Sequence, residues 1–154
     1  MDREEVLRLY DAYAQDVFRL ALSYLHSRQE AEDVCQSVFV KLLSCRKPPD
    51  AGKEKPWLLT CAANACKDAL RSWKRRRTQT QDAPVVFADE KERELWAAVQ
   101  TLAPKYRAVV HLYYYEGYAQ DEIAQILNLS RTAVQTRMSR ARDKLKEVLR
   151  EYEE

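Results

Sequence analysis

Glycine is nearly absent: Gly52 and Gly117 are the only two in 154 residues. Hairpins and barrels draw on many turn positions with positive φ, so two glycines and five prolines argue against a strand-and-turn architecture. Long apolar runs are missing too. No segment approaches the roughly 18 apolar residues of a membrane-spanning helix, and Met1-Asp2-Arg3-Glu4-Glu5 carries charge where a signal segment would be apolar. No direct membrane insertion is expected, and the expected location is cytoplasmic. Histidine is limited to His26 and His111, and Cys35, Cys45, Cys61 and Cys66 do not form the two short-gap pairs of a zinc knuckle. The cysteines read as small apolar core residues in a reducing compartment, so no metal and no cofactor are expected. Phosphate-cradling glycine loops, paired-carboxylate sites and a Ser-His-Asp arrangement are also missing, and the chain is not expected to be an enzyme.

What is present is helical periodicity. Val6, Leu9, Tyr10, Tyr13, Val17, Leu20, Ala21 and Tyr24 recur at three- and four-residue steps, followed after His26-Ser27-Arg28 by Ala31, Val34, Cys35, Val38, Phe39, Leu42 and Leu43. Lys47-Pro48-Pro49 stops that run, and a third helix opens near Lys55-Pro56 with Trp57, Leu58, Cys61, Ala62, Ala65, Ala69 and Trp73 on one side. The stretch after Arg77 has no helical period and reads as a linker. Beyond it, a helix is expected from about Asp89 to Thr101, and another from Pro104 to Gly117. A third carries Ile123, Ala124 and Leu127, and Ser130 caps a long final helix. A helix, a tight turn and a capped helix outline a helix-turn-helix. The expected fold is all-α: two small helical domains, 1–77 and 95–154, joined by a flexible linker, 78–94.

A formal net charge of +2 hides an uneven distribution. Cys45 to Arg77 holds ten basic and three acidic residues, Arg131 to Arg150 holds seven and two, and the segment from Thr78 to Glu94 holds two and five. Two basic faces separated by an acidic connector suggest two tethered contacts with a phosphate backbone. On the last helix, steps of about 100 degrees per residue stack Val134, Met138, Ala141, Leu145, Val148 and Tyr152 on one side. Thr132, Thr136, Ser139 and Asp143 then lie opposite, flanked by Gln135 and Arg140. Short hydroxyls, an amide and a guanidinium are side chains that can read base edges in a major groove, while Arg137, Arg142, Lys144 and Lys146 would reach phosphates. Trp73 with Arg71, Lys74 and Arg75 could stack on or clamp unpaired bases, whereas Trp57 lies on the apolar stripe and reads as core.

Two blocks of residues carry a family resemblance over nearly the whole chain. The first is Ala31-Glu32-Asp33-Val34-Cys35-Gln36-Ser37-Val38-Phe39 with Trp57-Leu58, Asn64, Asp68 and Arg71. The second is Leu102-Ala103-Pro104-Lys105-Tyr106-Arg107, Tyr115-Glu116-Gly117-Tyr118, Glu122-Ile123-Ala124-Gln125-Ile126-Leu127 and Ser130 through Arg142. In this order the blocks resemble regions two and four of the extracytoplasmic-function group of the sigma-70 family of bacterial RNA polymerase sigma factors.

That resemblance implies a sigma factor that binds core RNA polymerase, recognises minus-thirty-five and minus-ten promoter elements and helps open the DNA. Asp33, Gln36 and Ser37 would face the beta-prime clamp helices, and the second domain the beta flap. The loop from Arg46 to Pro56, with Asn64, Asp68, Arg71, Lys74 and Arg75, would engage the melted minus-ten element. There, binding an extruded base offsets a few kcal/mol of unstacking. Arg131, Thr132, Gln135, Thr136, Ser139 and Arg140 would enter the minus-thirty-five major groove. The acidic linker would thread toward the polymerase channel, and a membrane-linked anti-sigma factor is the implied regulator.

Three positions depart from the family pattern. Ser37 replaces a usual acidic residue at the polymerase face. Ala119 replaces a capping Ser or Thr, a loss of roughly 1 kcal/mol unless Gln120 or Asp121 compensates. Gln135 replaces a frequent basic residue and trades a guanine-type donor for an amide suited to adenine. The alternative is a free-standing helix-turn-helix regulator acting without polymerase docking, against which the first half offers no obvious ligand pocket and no coiled-coil heptads. A tyrosine-nucleophile DNA-joining enzyme is prompted by Tyr113-Tyr114-Tyr115 beside His111 and Arg107, but packing explains those residues more simply.

Overall fold

The computed structural model describes residues 1–76 and 89–153, except for the side chains of 73–76, 92 and 148–153. The chain divides into two compact units, Met1–Asp82 and Ala83–Glu154, and no strand occurs among the described residues.

In the first unit α1 (Arg3–Leu25), α2 (Arg28–Ser44) and α3 (Glu54–Arg76) pack mutually. Side-chain caps fix where the first two helices start: Asp2 accepts from the Glu5 N–H at 2.9 Å, and Ser27 from the Glu30 N–H at 3.3 Å. Only two residues separate α1 from α2, so the reversal needs a left-handed residue. His26 supplies it at φ 60°, donating its N–H to Leu22 at 2.9 Å. Gly52, at φ 86°, serves the turn before α3.

Val17, Leu20, Ala21, Leu25, Leu42, Leu58, Leu59, Ala62, Ala63 and Cys66 are fully enclosed. The α3 stripe is therefore rotated from the one expected: Leu59, Ala63 and Cys66 turn inward, while Trp57, Cys61 and Ala65 are only half-buried. Because α1 and α2 both cover α3, its buried sector is wider than a single stripe, and small residues at 62 and 63 let the helices approach closely. All four cysteines are free, and burial is the main cause that pushes the Cys35, Cys61 and Cys66 thiols up, away from thiolate chemistry.

The second unit contains α4 (Glu90–Gln100), α5 (Pro104–Val110), a π-helical turn (His111–Tyr115), α6 (Gln120–Leu127) and α7 (Arg131–Glu153). Ala98, Val99, Leu102, Tyr106, Val110, Ala141 and Leu145 form its core, with Leu95 packed against them. The helix beginning at Pro104 was expected to run regularly to Gly117. Instead it widens after Val110, and the Glu116 N–H reaches back five residues to the His111 carbonyl at 3.1 Å. The wider turn lets both His111 and Leu112 turn inward, with His111 Nε2 3.6 Å from the buried Glu116 carboxylate and its ring stacked on Tyr115. Arg107 is buried as well: it donates to the Leu102 carbonyl at 2.7 Å, and burial pulls its guanidinium down to about 10.

The segment 78–94 was expected to be linker; of it, residues 90–94 are the first turn of α4 and 78–88 lie outside the described residues. Trp73, Lys74, Arg75, Val148 and Tyr152 were also singled out in the sequence, and their side chains lie outside the described residues too.

Candidate functional site

The helix-turn-helix is built by local chemistry. Asn128, at φ 54°, ends α6 in the left-handed region, and the Leu129 N–H closes on the Ala124 carbonyl at 2.9 Å. Ser130 then accepts from the Ala133 N–H at 3.0 Å and starts α7, as its position in the sequence predicts.

At the other end of α6, Ala119 has the extended backbone of a cap, φ −71° and ψ 158°, but no side-chain oxygen. Half a capping box remains, with the Glu122 carboxylate accepting from the Ala119 N–H at 3.0 Å. Glu122 is thus the compensating residue in place of Gln120 or Asp121. Asp121 instead pairs with Arg131 at 3.1 Å and links the two helices of the motif. Both partners are well exposed, so that pair contributes only about 0–1 kcal/mol.

Val134, Met138 and Ala141 are completely buried against the rest of the unit and fix the rotation of α7. The opposite side presents Thr132, Gln135, Thr136 and Ser139 to solvent, with Arg131 and Arg140 exposed beside them. A helix held this firmly on one side and lined on the other by short polar groups can enter a major groove without repacking. Two cations expected to reach phosphates are only half exposed, Arg137 and Arg142. Arg142 donates from Nε to the Tyr114 hydroxyl at 3.2 Å and lies 5.5 Å from the Tyr113 ring centroid, and the hydrogen bond to Tyr114 is the main cause raising its guanidinium. The tyrosine run thus locks the π-helical turn to α7. The neighbouring His111–Glu116 pair is buried within the unit, so the tyrosine run reads as packing.

On the first unit, Asp33, Gln36 and Ser37 are all exposed and share one side of α2 by their i, i+3, i+4 spacing. Two apolar residues missed in the sequence continue that side: Val40, 65% exposed, and Leu43, 48% exposed, although Leu43 was expected in the buried stripe. The signal was available in Val40, which stands four residues after Gln36. The first unit also has a recess that the sequence did not show. An open groove of about 420 Å³ between α1 and α2 is lined by Tyr10, Phe18, Arg28, Glu32, Cys35 and Gln36. On its α2 wall Arg28 pairs with Glu32, one turn further along the same helix, at 3.3 Å.

Asn64, Asp68 and Arg71 lie along one exposed edge of α3, where Arg71 is ion-paired with Asp68. Asp33, Gln36 and Ser37 thus share α2, whereas the minus-ten candidates Asn64, Asp68 and Arg71 share α3, which the loop from Arg46 leads into.

Comparison with known proteins gives concordant results. The family model described as Sigma-70 region 2 matches residues 9–77, and the one described as Sigma-70, region 4 matches residues 92–145. The chain is 30% identical over 149 residues to the ECF RNA polymerase sigma factor SigM of Bacillus subtilis (strain 168), covering 90% of this chain and 91% of that protein. It is 35% identical over 133 residues to the RNA polymerase sigma factor CarQ of Myxococcus xanthus, covering 80% and 76%. The fold is similar to that of the sigma factor RpoE, solved with the anti-sigma factor NepR from Bartonella quintana, at a TM-score of 0.79 and 19% identity over 96% of this chain and 98% of that one.

Proposed function

The chain belongs to the extracytoplasmic-function group of the sigma-70 family, and on that premise we propose how its two units divide the work of an RNA polymerase sigma factor. As a sigma factor it binds core RNA polymerase and directs promoter-specific initiation; the free-standing regulator is set aside, since the first half matches the polymerase-associated region two. The protein is an initiation factor and not the catalyst of RNA synthesis.

Unit one, in this proposal, docks on the beta-prime clamp helices through Asp33, Gln36 and Ser37, the apolar Val40 extending the contact. Asn64, Asp68 and Arg71 on α3 engage the melted minus-ten strand, where Arg71 must exchange its Asp68 partner for nucleic acid. Both partners are exposed, so water screens the pair and the exchange costs little. Unit two presents Arg131, Thr132, Gln135, Thr136 and Ser139 to the minus-thirty-five major groove and contacts the beta flap.

The observation that carries this division is α7: three fully buried residues fix its rotation, and a polar, exposed face results. An anti-sigma factor that covers both units fits their exposed faces, and a cytoplasmic location follows from the partner. No helix among the described residues is long and apolar enough to cross a membrane.

In vitro transcription with core polymerase and a library of promoter fragments, with the chain added or withheld, tests the proposal. Chain-dependent initiation from a defined subset is the expected result. Binding of the chain to duplex DNA with no redirection of polymerase would overturn it.

A further inference from the structure

Three cations converge on one buried tyrosine in the second unit. The Lys105 ammonium lies 5.1 Å and the Lys144 ammonium 4.8 Å from the Tyr106 ring centroid, and Arg140 donates a hydrogen bond to the Tyr106 hydroxyl. Tyr106 is only 6% exposed, and its ring belongs to the core with Leu102, Ala141 and Leu145, so packing fixes its place. None of the three cations has a carboxylate partner among the described residues.

Like charges gathered around one ring repel, and the negative ring faces offset only part of that repulsion. A carboxylate would ordinarily complete such a cluster. No described residue of the unit supplies that charge, and position says where a completing anion would lie. Arg140 and Lys144 are one turn apart on α7, and Arg140 follows Thr136 and Ser139 on the exposed polar face. Lys105 reaches the same ring from α5. A helix lying in a major groove is flanked by backbone phosphates at this position, and an extended backbone matches cations drawn from two helices better than a small free anion does.

We propose that Tyr106 is a positioning residue for duplex binding, gathering Lys105, Arg140 and Lys144 into one patch that meets the DNA phosphate backbone beside the reading face of α7. The inference rests on the reading of α7 as the minus-thirty-five helix. It moves Arg140 from base edge to backbone and adds Lys105, which the sequence placed in the resemblance but not among the DNA contacts. The same cluster lowers the Tyr106 hydroxyl below its ordinary value, first through the Arg140 hydrogen bond and then through the charges of Lys105, Arg140 and Lys144.

Fluorescence anisotropy of the full chain with a mixed-sequence duplex, over a potassium chloride series, tests it. Tyr106→Phe keeps the ring but loses the acceptor for Arg140, and is expected to weaken binding about threefold. Tyr106→Leu also removes the ring, and is expected to weaken it about tenfold. Both leave every charge in place, so the slope of log affinity against log salt stays at the wild-type value. Lys105→Ala shrinks that slope by about 0.9, one phosphate's worth. Amide exchange in α4, α5 and α7 of Tyr106→Phe stays at wild-type protection, which a purely structural tyrosine has no reason to combine with weaker DNA binding.

Wild-type affinity in both Tyr106 variants, or an unchanged slope in Lys105→Ala, overturns the proposal. So does loss of duplex binding to millimolar inorganic phosphate at constant ionic strength, which would mark a free-anion site. Gln135→Glu on the reading face separates the two levels. If it leaves binding intact, or if the wild-type chain binds no duplex, the reading of α7 itself fails. If it abolishes binding while the Tyr106 and Lys105 variants bind as wild type, only the positioning role fails.

Discussion

Replacing Ala119 by Ser should complete the half-formed capping box at the start of α6. The backbone is already in the required extended conformation, and the Ala119 carbonyl already accepts from the Ile123 N–H at 3.0 Å. A serine hydroxyl at this position would accept from the N–H of Glu122, whose carboxylate already accepts from the N–H of residue 119. No other contact has to change. A Ser cap in place of Ala contributes about 1 kcal/mol, which is roughly a fivefold change in the population of the open state. Native-state amide hydrogen exchange reads this directly. Amides of α6 and α7 that exchange through opening of the second unit should slow about fivefold, while those of α1 and α2 should stay unchanged and act as an internal control. Unchanged protection in α6 and α7 in a natively folded variant would refute the reasoning, because it would mean that the N–H of residue 122 is already satisfied in another way. A rise shared equally by the first unit would refute it as well.

Three further outcomes follow from the structure. Met138 is completely buried in α7, so Met138→Ala should destabilise the second unit by about 2–5 kcal/mol. In a unit of this size that is a large share of the total, and heteronuclear NMR should show α4–α7 resonances collapsing while those of α1–α3 persist. Gln135→Arg should move base preference at one minus-thirty-five position from adenine toward guanine, with about 1–3 kcal/mol of discrimination, measured by selection from a randomised promoter pool; an unchanged preference would remove Gln135 from the readers. Burial holds the Cys66 thiol above its ordinary 9.0, so the unfolded chain gives up that proton first. Its contribution to stability is therefore fully present below about pH 9 and is lost as pH rises beyond it. Urea midpoints of the first unit should fall between about pH 8 and pH 10, and less steeply in Cys66→Ala.

The helix-turn-helix was legible because its determinants are local. Ser130 caps, Asn128 takes a left-handed turn, and Val134, Met138 and Ala141 repeat at helical spacing, all within a few residues of where they act. The boundary of α2 was legible for the same reason, since the Ser27 cap and the Lys47-Pro48-Pro49 stop are written in adjacent residues. Ala119 was recognised as a defective cap, yet its compensation was assigned to neighbours at 120 and 121. Which of three adjacent polar side chains folds back depends on rotamers and on the competing pull of Arg131, and periodicity carries no information about either.

Composition, hydrophobic spacing and capping chemistry alone determined that this protein is all-helical, where most of its helices begin and end, and which side of α7 is polar. These depend on residues three or four positions apart. Tertiary structure decided the rest: the wider buried sector of α3, the π-helical turn that turns His111 and Leu112 inward, the tethering of Arg142 by Tyr113 and Tyr114, and the convergence of Lys105, Arg140 and Lys144 on Tyr106. Each of these depends on which helix lies across from which, and that is set by how the side chains of distant segments fill a shared core.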